Sequence, residues 1–271
     1  MGAEWQPLSV RTGKREPDGP YEGVPAHLHG PLANWLDDRL HELDSSGDRT
    51  LNQFAAALRI PLNRTNIARG QILNAVEADE SLFLDAIDLV LRLISYNYPR
   101  SEGLTGVLYA GGSIWTVSDN EQSLERRVPE ATRNAFSRAA SPGDVASDEL
   151  TTAWRSVFGI HPDPSDAWDH SIKAVESVLI PIVVPNKTKA TLADVAGELK
   201  MSPDRWRLGL DANRGLSGGA LLEGLIRHIW VNPDRHGPVT RKPTQEEAEV
   251  AVQIAVTIVG ICRDHLSKIE R

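Results

Sequence analysis

Apolar residues recur at three- and four-residue intervals along most of this chain, and that spacing constrains it to packed helices more than any other feature. In "HLHGPLANWLDDRLHELD", Leu32, Trp35, Leu36, Leu40 and Leu43 fall on one face. Gly47 stops that helix. "TLNQFAAALRI" reads as a second helix with Pro61 beyond its end, "NRTNIARGQILNAV" as a third, and "SLFLDAIDLVLRLISYNY" as a fourth that Pro99 ends. Residues 26–100 therefore read as a four-helix domain. Residues 1–25, rich in Pro, Gly and charge, read as an extended arm.

Residues 101–128 break the pattern. "SIWTV" and "SLERRV" flank the turn-like "SDNEQ" and predict a β-hairpin, with a further short strand at "GVLYA". So small a strand unit is not stable alone and has to lie on helices. Trp115 is the residue expected to anchor it there. Helical spacing then resumes through residues 129–271. Ser165 is the expected cap of a long helix that reaches Pro181 or a little beyond. "TLADVAGELK" and "SGGALLEGLIRHIWV" are two further helices. In the last one, Thr244 and Glu247 have capping-box spacing, and Val250, Ile254, Ile258 and Ile261 form the expected apolar stripe. The fold class is mainly α: two helical bundles with a small β-hairpin between them. The tryptophans Trp35, Trp154, Trp168 and Trp230 sit in helical patterns and are expected to pack.

Composition narrows the function. In 271 residues, 41% are apolar and 24% charged, a globular balance. No apolar run approaches the roughly 20 residues that span a bilayer, and residues 1–20 lack a signal-peptide core. The sole cysteine, Cys262, rules out an internal disulfide framework and argues against a cysteine-based zinc site. A cytoplasmic protein with no membrane partner and no cofactor is expected. The formal net charge of −8 does not steer the chain broadly to nucleic acid. Between Lys200 and Lys242, however, eight Lys/Arg stand against four Asp/Glu, a local basic stretch able to hold a phosphate chain.

Familiar catalytic signatures are absent: no GxxxxGK[ST], no GxGxxG between strand and helix, no HExxH, no GxSxG. "SGGALLEG" reads as opening a helix with no strand expected before it and no lysine, which argues against a phosphate loop. "HLH" at His27–His29 reads as a surface pair rather than a metal site. The stretch that concentrates reactive side chains is "RHIWVNPDRHG", Arg227 to Gly237. Its chemistry suits RNA cleavage. A neutral histidine can take the proton from a ribose 2′-OH, and an arginine fork can meet the charge that builds on the phosphate oxygens. The product is a 2′,3′-cyclic phosphate, and DNA, without the 2′-OH, is not a substrate.

Three stretches carry a family resemblance: "AWDHSIKAVESVLIPIV", "LLEGLIRHIWVNPDRHG" and "TQEEAEVAVQIAVTIVGIC". From about Pro129 onward the chain resembles the abortive-infection C-terminal (Abi-C) type of HEPN domain. The resemblance implies an α-helical fold, a homodimer through the C-terminal helical domain, and metal-independent endoribonuclease activity in phage defence or a toxin–antitoxin system. It makes Arg227 and His236 the catalytic pair, with His228 in the polar place after the arginine. Asn232, Arg235, Arg241 and Lys242 join His228 as RNA-binding residues, and no metal is required. Eight residues separate Arg227 from His236, a longer interval than is usual in that family. A protein partner is expected at the N-terminal domain, which would restrain the nuclease or sense a trigger.

Other readings of the same residues stay open. Gly237 can simply supply a positive φ in a loop, Arg227 can pair with Glu223 four residues earlier, and Lys173 and Glu176 can form a solvated ion pair or line the same cleft. The chain then reads as a non-catalytic helical interaction module, such as a phage or prophage accessory or assembly protein.

Overall fold

The computed structural model describes residues 8–14, 19–45, 48–63, 67–93, 101–209, 216–234 and 241–268. The fold is mainly α, with two small two-stranded sheets among the described residues. It divides into two compact units, Met1–Arg127 and Val128–Arg271.

The first unit contains α1 (Leu8–Arg11), α2 (Ala26–Ser45), α3 (Asp48–Ala57), α4 (Ala68–Ala78), α5 (Glu80–Leu93), α6 (Leu104–Ala110), β1 (Trp115–Val117) and β2 (Leu124–Arg126). α2 is its spine. Leu28, Leu32, Leu36, Leu40 and Leu43 are buried and meet α3, α4, α5 and α6. α5 supplies the opposing face with Phe83, Ile87, Val90 and Leu91. The hairpin is antiparallel, with Thr116 opposite Glu125. It is tied to α5 by Asp88, a buried carboxylate that accepts from the Leu124 amide at 2.7 Å and pairs with Arg92 at 3.2 Å.

Two expectations for this unit change, the strand at "GVLYA" and the free arm. "GVLYA" is not a strand but lies in α6, because Leu104 and Leu108, four apart, are the buried pair. The hairpin lies on helices as expected, β1 against α6 and β2 against α5, and Trp115 also ties it to the segment before α2, its indole N–H donating to the Glu22 carbonyl at 2.7 Å. The expected arm is tied down at Tyr21, whose N–H and C=O bond Gly112 and Ile114. The stops at Gly47 and Pro99 lie outside the described residues.

The second unit contains α7 (Glu130–Ala140), α8 (Val145–Phe158), α9 (Pro164–Val183), α10 (Leu192–Met201), a 3-10 turn (Pro203–Arg205), β3 (Trp206–Leu208), α11 (Gly218–Ile229), α12 (Gln245–His265) and β4 (Leu266–Lys268). α9 and α12 form its centre. Ala167, Ser171, Ala174 and Val175 of α9 and Ala248, Ala251, Val252 and Ala255 of α12 are buried, and such small side chains let the two backbones approach. α8 covers one side with Leu150, Trp154, Val157 and Phe158, and Phe136 of α7 stacks on Trp154 at 4.2 Å between ring centroids. Burial of this continuous apolar set is the main source of the unit's stability.

Here too the ends differ from expectation. α9 is capped by Asp163, whose carboxylate accepts from the amides of Ser165 and Asp166, and Pro164 fills the first helical position, so Ser165 is not the cap. The Thr244/Glu247 capping box of α12 is present. The buried face of α12 is made mostly of alanines and valines, with Ile258 and Cys262 among them. Of the expected stripe, Ile258 is buried in the core, Ile254 and Ile261 are partly covered and Val250 stands 51% exposed, so only its first turn lies off the face that packs. The helix also gives way at Leu266 to β4, which pairs antiparallel with β3. The glycines of "SGG" serve close packing: a Cβ on Gly218 would fall 2.8 Å from the Trp206 carbonyl and one on Gly219 2.5 Å from that of Pro203.

Candidate functional site

α11 starts at Ser217, whose hydroxyl accepts from the Ala220 amide. Leu222, Ile226 and Ile229 recur at helical spacing and face the core, which turns Arg227 and His228 out to solvent. Arg227 is oriented on the helix surface by two neighbours. Its Nε donates to the Glu223 carboxylate one turn back, and its guanidinium lies 5.6 Å from the Trp230 ring centroid. Nearly half of the Arg227 side chain remains exposed.

The chain leaves α11 through a tightly held corner. The Trp168 indole N–H of α9 donates to the Ile229 carbonyl at 2.8 Å. Asn232 is buried, and its amide group donates to the Ser165 carbonyl at 3.1 Å and to the Asp169 carboxylate at 2.7 Å while its oxygen accepts from the Asp234 amide. The Ser165 hydroxyl donates to Asp234 at 2.6 Å. Asn232, expected to touch RNA, instead spends both ends of its amide inside the protein, fixing the corner to the first turns of α9.

The Arg241 backbone N–H donates to the Pro233 carbonyl at 3.2 Å. The guanidinium of Arg241 grips Glu247 with two hydrogen bonds of 2.7 and 2.6 Å. That pairing, with the Thr244 amide, holds the Glu247 carboxyl at about 2 and raises Arg241 above its ordinary value. Arg241 thus meets a carboxylate of its own chain, whereas Lys242 next to it is exposed. Arg235 and His236 lie outside the described residues.

Beside His228 a surface cavity of about 250 Å³ opens between α9, α11 and α12. Trp168, Ile229, Val250, Ala251 and Ile254 give it an apolar lining, and His228, Glu246 and Glu247 complete it. Of the residues expected to act together, Arg227 and His228 are thus neighbours at the end of α11, with His228 facing this cavity.

A cluster missed in the sequence lies between α8 and α9. His170 Nδ1 is 2.5 Å from the Glu149 carboxylate and its Nε2 is 3.4 Å from Asp166, which also accepts from the Ser156 hydroxyl at 2.7 Å. The Asp166–His170 interval of four on one helix was the available signal; the Glu149 contact joins two helices and left none. Glu176 accepts from the Leu192 amide at 2.7 Å instead of forming the expected pair with Lys173. Burial pushes its carboxyl up, and that hydrogen bond opposes the shift.

His27 contacts the Gly111 carbonyl at 3.0 Å and His29 lies edge-to-face against Phe83, so the "HLH" histidines serve packing. Among the described residues no group of His, Cys, Asp and Glu is arranged to hold a metal ion, and no helix is long and apolar enough to cross a membrane. No family model, curated protein or solved structure matches the chain.

Proposed function

We propose that the second unit is an HEPN-like domain that binds and cleaves RNA, in a phage-defence or toxin–antitoxin role. The observation that carries this reading is the pair Arg227 and His228, exposed side by side in the last turn of α11 with His228 at a surface cavity. An arginine oriented by Glu223 and Trp230 is held ready to meet a phosphate. His236, by the resemblance, takes the proton of the 2′-OH. The 2′ oxygen then attacks phosphorus, and the 5′ oxygen leaves with a proton, giving the cyclic phosphate. Dimerisation through this unit and a restraining role for the first unit belong to the same proposal. The test is cleavage of labelled RNA in EDTA by wild type, Arg227→Ala and His236→Ala. Cleavage by wild type and loss in both variants support the reading, and equal cleavage by all three contradicts it.

A specific observation favours a second reading. Arg227 and Arg241 each already meet a carboxylate of their own chain, and the cavity lining is mainly apolar. Those features suit a non-catalytic helical interaction module. RNA binding that is absent at low salt favours this reading, because phosphate contacts are strongest there.

A further inference from the structure

We infer that the cavity between α9, α11 and α12 is a pocket for one nucleobase that carries an exocyclic amino group. This inference rests on the RNA reading of the same unit and names the part of the strand that the site takes. The volume of about 250 Å³ is below the range of drug-sized sites and fits a single ring system. The accessible lining is mainly aliphatic, from Val250 and Ile254. The indole of Trp168 is buried, with its N–H already donated to Ile229, so it offers the ligand only a small apolar part at the cavity floor. The buried Ile229 and Ala251 complete the apolar floor. Unpaired RNA bases are held in this way, by ring and aliphatic contacts, with hydrogen bonds on their edges.

The polar groups select the edge. Glu246 and Glu247 lie in the first turn of α12, and both line the cavity. Glu247 is committed to Arg241, which leaves the exposed Glu246 to face a ligand. A carboxylate accepts from an amino group and repels a phosphate. Cytosine, adenine and guanine carry such an amino group, and uracil presents a carbonyl oxygen in its place. The charges on the surface are ordered accordingly: carboxylates at the cavity for the base, and the exposed side of Arg227 outside it for the backbone.

The test compares two pyrimidines of equal size. Equilibrium dialysis of cytidine and uridine against the full chain measures base binding without phosphate. Cytidine is expected to bind about tenfold more tightly than uridine, the scale of one charge-assisted hydrogen bond. Glu246→Gln should abolish that preference, since an amide both accepts and donates. Val250→Trp, at an exposed position, should weaken both nucleosides by filling the cavity. Equal binding of the two nucleosides, no binding of either, or a preference that survives Glu246→Gln overturns the inference. Cytidine preference in a protein that neither binds nor cuts RNA leaves the base pocket standing and removes the RNA reading. RNA cleavage without nucleoside binding does the reverse.

Discussion

Asn232 donates to the Asp169 carboxylate at 2.7 Å in the interior of the second unit. The bond fastens the corner after α11 to α9. The same amide bonds the Ser165 carbonyl, and the Asp234 amide bonds back to Asn232. Asn232→Ala leaves a buried carboxylate short of a donor. A loss of about 1–3 kcal/mol is expected in urea denaturation. Asn232→Asp should cost more, because it sets a second carboxylate against Asp169.

Glu247 gives the site a pH dependence. Its carboxyl is held at about 2, well below its ordinary 4.5, first by the Arg241 hydrogen bonds and then by the Thr244 amide. A depressed folded-state value means that the contribution is complete above about 4.5 and is lost as pH falls towards 2. The group is exposed, so salt should weaken the effect. Following the Thr244 and Glu247 amides by NMR should show the α12 cap loosening across that window, and Glu247→Gln should remove the transition.

Cys262 should be chemically silent. It is buried, and burial pushes its thiol up to about 12. A maleimide or disulfide reagent at pH 8 is expected to leave the native chain unlabelled and to label it fully in denaturant. The value is raised over the ordinary 9.0, so this thiol stabilises the fold below pH 9 and the contribution fades between about 9 and 12.

In the first unit, Asp88 is the equivalent fastening. Asp88→Ala removes the acceptor of the Leu124 amide and should cost about 1–3 kcal/mol. Hydrogen exchange at Leu124 should accelerate more than exchange in α2. Uniform change in both would show that Asp88 does not act on the hairpin in particular.

The helices were legible in the sequence because their buried faces repeat at 3.6 residues, as Leu28, Leu32, Leu36, Leu40 and Leu43 do. α6 was misread because Val107 and Tyr109 have strand propensity, while the decisive contacts of Leu104 and Leu108 are tertiary. Ile258 of the expected α12 stripe does pack, but the alanine part of that face, Ala248, Ala251 and Ala255, was hidden because it carries little hydropathy and gains its role from close approach to α9. In the candidate site, the Glu223–Arg227 pair was readable from its interval of four. The inward turn of Asn232 was not, since its partners Ser165 and Asp169 lie more than sixty residues away. The same holds for Glu149 and His170, which only the packing of α8 on α9 brings together.

The central claim is that the second unit acts on RNA through the 2′-OH. Its most direct test is to incubate the purified full chain in EDTA with a labelled RNA and with the same sequence in all-2′-deoxy form, and to identify the ends. The account predicts cleavage of the RNA alone, with 2′,3′-cyclic phosphate ends that Arg227→Ala and His236→Ala fail to produce. Cleavage of both strands, or RNA ends without the cyclic phosphate, would contradict it.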